Sequence, residues 1–340
     1  MKRKIRVLGI FLTVLGFAAL ILDAKTALVG AKDGLQLCIE TVLPSLFPFV
    51  FISTILNGYI TGTEIKLLRP LTKLCNIPAG AESLLLVGFL GGYPVGAQCV
   101  NADYCEGKIT KSDAERILGF CNNAGPSFIF GMVGSLFQSS VTVWLIWIIQ
   151  ILSAVIVGCI LPSKAASASR TVERKTILVS KVLEKSLKTM ACICGWVVLF
   201  RVLISIADRW ILWLFPPVFR LGIIGSLELT NGIHSLMQIP SEGIRFIFAS
   251  SFLSIGGICV TLQTASVTSC VGLGKYFPGK LLQFSISLLI SSVIQMYIFE
   301  FPDRCLLPWW IYVIPVLLLM TSVYVCKRKN YSSFCRSNAV

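Results

Sequence analysis

The chain has little charge for its length and little of what enzymes commonly use. Charged residues make up 14% of its 340 residues, 16 side chains are acidic, and there is a single histidine, His234. One histidine without neighbouring ligands excludes the usual His-based metal sets. The 13 cysteines do not replace them. The close pair Cys192-Ile193-Cys194 is not a C-x-x-C, and Cys38, Cys159, Cys259 and Cys326 lie inside apolar runs, where thiols behave as small hydrophobes. Neither a disulfide framework nor a structural metal is expected. Walker A, G-x-S-x-G and H-E-x-x-H motifs are absent as well. An enzyme is therefore the least favoured class, and neither a cofactor nor ATP coupling within the chain is expected.

What is abundant is apolar sequence. Hydrophobic residues are 55% of the chain and the mean hydropathy is +0.82, the composition of a polytopic membrane protein. The net charge of +14 then reads as cytoplasmic loops, not as a nucleic-acid surface, because no aromatic–basic interleaving accompanies it. Three basic clusters carry it: Lys2, Arg3, Lys4 and Arg6; then Lys164, Arg170, Arg174, Lys175, Lys181, Lys185 and Lys188; then Lys327, Arg328, Lys329 and Arg336. All three are expected on the cytoplasmic side, with both termini. Residues 2–22 resemble a signal peptide, but the apolar run is long for one and leads into Asp23-Ala24-Lys25 without a clear small-residue cleavage site. A retained first span is expected.

Apolar runs of spanning length lie near 5–22, 35–60, 116–137, 141–161, 190–207, 244–267, 281–299 and 308–326. Two further stretches, 83–100 and 214–236, are interrupted by Gly, Pro and polar residues and read as re-entrant hairpins. Eight spans can be threaded between cytoplasmic clusters only if each hairpin enters and leaves on one side. The first, flanked by Lys66, Arg69, Lys73, Lys108 and Lys111, dips in from the cytoplasm, and the second from the opposite face. The expected fold is an all-α polytopic membrane protein in an inverted repeat. Its expected parts are a first helix and linker (1–34), a first repeat (35–162), a basic linker (163–185), a second repeat (186–300), and a last helix with a basic tail (301–340). Gly88-Phe89-Leu90 faces Gly225-Ser226-Leu227 in this scheme, and Phe120–Gly125 faces Phe252–Gly257. Ser112 followed by Glu115 reads as a capping box opening the helix that leads to Asn122.

Broken backbone at membrane depth survives only where protein buries it or a wet cavity receives it. Gly91, Gly92, Tyr93, Pro94 and Gly96 form one such break, as glycine admits close approach and proline stops a helix. Tight helix packing by small residues is the competing account. Asn122, Asn123 and Ser127, around Gly125-Pro126, form another, with amides that either cap the break or bind a solute. In the second half the counterparts are Glu228, Thr230, Asn231 and Gly232, with Gln263 and Thr264 beyond. Glu228 is a carboxylate within apolar sequence. It reads as a site for a proton, a cation or an anion's hydrogen bond, or else as the ion-pair partner of Arg201 or Arg220. His234 reads as a satisfied polar residue. Together these residues are the candidate substrate-binding set of a midplane site.

At Gly91–Ala97, Gly107-Lys108-Ile109-Thr110, Ala114-Glu115-Arg116, Phe120–Phe128 and Glu228–Gly232 the chain resembles the YlbJ-type sporulation integral membrane proteins. The resemblance runs over nearly the whole chain. It implies the nucleoside-recognition "Gate" group and a fold similar to concentrative nucleoside transporters. It also implies transport of dipicolinic acid (pyridine-2,6-dicarboxylate) during endospore formation, out of the mother cell across the mother-cell-derived outer forespore membrane. A small anionic substrate and the lipid bilayer are the partners so implied, and related transporters imply a homo-oligomer. A nucleoside transporter of the same fold and a non-transporting scaffold for spore maturation are the alternatives.

Overall fold

The computed structural model describes residues 2–60, 63–162 and 178–299. The basic residues Lys164 to Lys175, the predicted span 308–326 and the C-terminal tail lie outside the described residues. In chain order the helices are α1 (Lys2–Leu22), α2 (Ala24–Leu37), α3 (Leu43–Ile60), α4 (Arg69–Leu74), α5 (Glu82–Leu90), α6 (Val95–Cys105), α7 (Lys111–Cys121), α8 (Pro126–Gly131), α9 (Ser140–Ile160), α10 (Val179–Trp210), α11 (Pro217–Leu227), α12 (Leu229–Ser235), α13 (Glu242–Ile255), α14 (Gly257–Val267) and α15 (Tyr276–Ile298). No strand occurs among the described residues.

Among the described residues, five helical segments are long and apolar enough to cross a membrane: Ala24–Ile60, Ser140–Ile160, Val179–Trp210, Glu242–Val267 and Tyr276–Ile298. The protein is a multi-pass, membrane-type helical protein. The first of these segments joins α2 to α3 through one π turn at Cys38–Val42, so the stretch before residue 35 is helix where a linker is expected. Helix α10 likewise begins at Val179, inside the expected linker, and runs well before the predicted start at 190.

The predicted span 116–137 is not one helix. Its first part is α7, which ends where Asn122 turns extended at φ −102° and ψ 95°. Pro126 then starts the short α8, since proline fits a first helical turn but donates no N–H to a preceding one. The capping box predicted at Ser112 and Glu115 is also shifted. Thr110 is the N-cap, its Oγ1 accepting from the Asp113 N–H at 3.2 Å and donating to the Asp113 carboxylate at 2.7 Å. Both signatures fit S/T-x-x-D/E, and the register that satisfies free N–H groups at the true helix start prevails.

Among the described residues the interior has two large apolar clusters. One gathers α5, α6 and α7 with the end of α9 and the start of α15, around Leu84, Val100, Ile117, Phe120, Val157 and Leu282. The other gathers α8, α12 and α13 with the start of α9, around Ile129, Ile146, Ile233, Phe246 and Leu253. Helices α9 and α15 pack on each other and run through both clusters, so they form the central post. Lipid tails are as apolar as leucine, so close packing and internal hydrogen bonds hold such helices together. At the periphery α2 lies along α10 and is tied to it by Arg201–Asp33 at 3.0 Å and Arg209–Asp23 at 3.3 Å.

Candidate functional site

The first break is built by two interlocking turns. Between α5 and α6 the chain reverses at Gly91–Pro94, where Gly92 has φ +75° and the Tyr93–Pro94 peptide is cis. Gly92 lies against Gly125 so closely that a Cβ on it would meet the Gly125 nitrogen at 2.9 Å. Gly88 and Gly96, on the two arms, both lie against the Cys121 carbonyl, the last helical residue of α7. A helix that stops leaves its final carbonyls without intrahelical partners. Asn123 covers one of them, its Nδ2 donating to the Phe120 carbonyl at 2.6 Å.

The second break separates α13 from α14 at Gly256 and Gly257, with φ +72° and +76°. The left-handed turn ends the hydrogen-bond ladder and leaves the Leu253 carbonyl without its helical donor. That oxygen accepts instead from Tyr93 Oη at 2.6 Å and from Gln150 Nε2 at 3.1 Å. The first half thus supplies the donors that the break in the second half lacks. Tyr93→Phe is expected to cost about 1 kcal/mol, because Gln150 still serves the carbonyl. Thermal unfolding of the purified protein measures this, and an unchanged midpoint removes the bond from the account.

Beside the second break, Glu228 ends α11 and opens α12. Its carboxylate accepts from the Thr230 N–H at 2.9 Å, the Asn231 N–H at 2.6 Å and Asn231 Nδ2 at 2.7 Å. The ion pair considered for it does not form. Arg201 is taken by Asp33, and Arg220 holds Asp208 through Nε at 2.8 Å and through Nη2. Glu228 is 1% exposed and caps a helix. A carboxylate with three N–H donors does not require a counter-cation.

A polar seam connects the breaks. Asn122 Nδ2 donates to Thr264 Oγ1 at 2.8 Å, while its Oδ1 is buried with no hydrogen-bond partner. Asn123 Oδ1 accepts from Lys280 Nζ at 3.0 Å and from Gln283 Nε2 at 2.9 Å. Gln283 also donates to the Gln150 carbonyl at 3.3 Å, and Ser254 Oγ donates to Gln150 Oε1 at 3.0 Å. Close packing of α15 on α7 permits this seam, since a Cβ on Gly279 would lie 2.4 Å from the Gly119 carbonyl.

Two cavities bear on function. One, of about 40 Å³, is lined by Gly92, Tyr93, Gly125, Glu228, Thr230 and Gln263 together with apolar side chains from α3, α8, α10 and α14. Five of the expected site residues meet there: Gly92, Tyr93, Glu228, Thr230 and Gln263. Asn122 and Asn123 belong to the seam behind it, and Asn231 serves the Glu228 cap. Gly96 and Gly232 are packing positions: a Cβ would meet the Cys121 carbonyl at 2.6 Å and the Gly225 Cα at 2.4 Å respectively. Gly91, Pro94 and Ser127 are buried but do not line the cavity. The second cavity is an open groove of about 470 Å³ between α6, α10 and α14, lined by Gln98, Lys181, Lys185, Lys188, Glu184 and Thr189.

Lys280, Gln283 and Gln150 were not among the expected site residues. Lys280 directly precedes the apolar run 281–299, where a lysine reads as a flanking charge. The helix starts at Tyr276, which places Lys280 in its second turn and 2% exposed. The pair Lys280 and Gln283, three residues apart on one helix face, is the signal that could have found it.

The chain is similar to the sporulation integral membrane protein YlbJ of Bacillus subtilis (strain 168). The two are 25% identical over 313 residues, covering 78% of this chain and 77% of the relative. That similarity supports the YlbJ-type assignment drawn from the Gly91–Ala97, Asn122-Asn123 and Glu228–Gly232 motifs. No family model and no solved structure matches the chain.

Proposed function

We propose that this protein carries a small organic anion across a membrane, and that in spore formation the anion is dipicolinic acid. The observation that carries the reading is the cavity where the two broken segments meet. Gly92 and Tyr93 from the first face Glu228 and Thr230 from the second, with Gln263 from the helix after the second break. The element order supports an inverted repeat: a long helix, a helix pair, a broken helix and a long helix occur as α3, α5–α6, α7–α8 and α9, then as α10, α11–α12, α13–α14 and α15. Re-entrant pairs of opposite orientation, with both termini cytoplasmic, complete the arrangement that the basic clusters require. The sporulation context comes from the relative's name, and the Gate-type transporter architecture from the motif resemblance.

A cavity of about 40 Å³ holds little more than a water molecule, so a planar dicarboxylate enters only when the walls part. The basic groove of Lys181, Lys185 and Lys188 concentrates anions near the cytoplasmic mouth by its field. A nucleoside is the second reading, favoured by the carboxylate of Glu228 and the amide of Gln263 on the cavity wall, both suited to ribose hydroxyls. Flux of labelled dipicolinate into proteoliposomes holding only this protein tests the proposal, with uridine and adenosine as competitors. The double variant Asn122→Ala, Asn123→Ala is expected to lose flux at least tenfold while still inserting. Normal flux in that variant, or full competition by uridine, rejects dipicolinate carriage at this site.

A further inference from the structure

We propose that Lys280 is the fixed cation that selects a carboxylate-bearing solute, with Asn123 and Gln283 holding its ammonium until the carboxylate arrives. The inference rests on the transport reading above and gives its site a sign of charge. Lys280 lies on α15, where its Nζ donates to Asn123 Oδ1 at 3.0 Å and to Gln283 Oε1 at 2.9 Å. Two ring faces also lie near it, with the Tyr93 centroid at 5.3 Å and that of Tyr276 at 6.0 Å, and the Cys121 thiol is close by. Among the described residues no Asp or Glu forms an ion pair with it.

The other deep charges are compensated differently. Glu82 has Arg69 at 2.7 Å, and Lys108 has Asp103 at 3.2 Å and Glu106 at 2.7 Å. Arg116 donates to the backbone carbonyls of Cys75, Asn76 and Gly158, at or near the ends of α4 and α9, where the helix dipoles are negative. Lys280 has two side-chain amides, which can rotate away, and two aromatic faces. A residue needed only to tie α15 to the first break could be neutral, and a neutral tie avoids the desolvation of an ammonium. Retaining a cation is economical when an anion joins it.

The position suits that role. Tyr93 is a lining residue of the small cavity, and its ring lies under the Lys280 ammonium. Its hydroxyl donates to the Leu253 carbonyl and lies beside the Gln150 amide. A swing of this ring opens the cavity toward the ammonium, and a carboxylate there forms a charge-assisted bond stronger than either amide contact. Glu228, which lines the same cavity, is occupied by its three N–H donors and does not neutralise Lys280.

The test is ligand binding by the full chain in nanodiscs, with pyridine-2,6-dicarboxylate, its neutral dimethyl ester and uridine as probes. Wild type is expected to bind the dicarboxylate at least tenfold more tightly than the ester. Lys280→Gln, which keeps hydrogen-bond donors without charge, is expected to lose that preference, and Lys280→Arg to restore part of it. If Lys280→Gln binds the dicarboxylate within twofold of wild type, this inference fails and the transport reading stands. If wild type binds none of the probes, both fail. Equal binding of ester and dicarboxylate by wild type overturns the inference without any variant, which covers the case of a substitution that prevents folding.

Discussion

Gly88→Ala is expected to leave little folded protein, although it adds one methyl group. A Cβ on Gly88 would lie 2.0 Å from the Cys121 carbonyl oxygen and 2.9 Å from its carbon. The obstacle is backbone, so no rotamer change relieves it. Cys121 cannot retreat, because Gly96 presses on the same oxygen from the other arm and α7 is held against α15 by Gly119 and Gly279. The pair α5–α6 must therefore move off α7, and Gly92 loses its seat on Gly125. Ordinary overpacking costs about 1–3 kcal/mol, and a contact this close to fixed backbone belongs at or above the top of that range. Size-exclusion profiles of detergent-extracted protein measure the loss. Gly195→Ala, at a helical glycine with no atom within 4 Å of the built Cβ, is the control and is expected to be neutral or stabilising by about 0.5–1 kcal/mol. If the two variants behave alike, the seating of the first helix pair on the break in α7–α8 is wrong.

Glu228→Ala is expected to be the most damaging substitution among the cavity-lining side chains. It removes the acceptor for two backbone N–H groups and one side-chain amide, all buried. A lost cap costs about 0.5–2 kcal/mol and one hydrogen bond to a charged group is worth about 1.5–3 kcal/mol, so a loss of at least about 2–5 kcal/mol is expected. Glu228→Asp separates capping from solute contact. Aspartate is a favourable N-cap and keeps the helix start, but its shorter side chain draws the carboxylate back from the cavity. Glu228→Asp is expected to stay within about 1 kcal/mol of wild type in stability while altering flux at least fivefold. Thermal unfolding and proteoliposome flux on the same preparations give both readings. Wild-type flux in Glu228→Asp would reduce Glu228 to a helix cap.

The fold was legible where local composition decides it. The long apolar runs at 141–161, 244–267 and 281–299 became α9, α13–α14 and α15 nearly as bounded, because twenty apolar residues have few other uses. Gly91–Pro94 and Asn122–Pro126 announced breaks because glycine, proline and amides act on their own backbone. Legibility ended where two registers compete locally, as at Thr110 and Ser112, and where a charge next to an apolar run is ambiguous, as at Lys280. The ion pair considered for Glu228 failed for a related reason. Sequence order shows which cations exist, and the packing of α2 on α10 and the turn into α11 had already assigned Arg201 and Arg220 to Asp33 and Asp208.

By itself the sequence determined that this protein is helical and apolar, that its helices break at glycine-rich and amide-rich points, and that it carries the YlbJ-type motifs. These follow from properties each residue exerts on its immediate neighbours. The tertiary structure alone decided how the breaks are used. It set Tyr93 of the first pair on the Leu253 carbonyl freed by Gly256, gathered Gly92, Glu228 and Gln263 around one cavity, and sank Lys280 onto Asn123. The pairings between the two halves join residues more than a hundred positions apart. Close backbone approach at a few glycines selects them, and no local pattern encodes which distant carbonyl a glycine will meet.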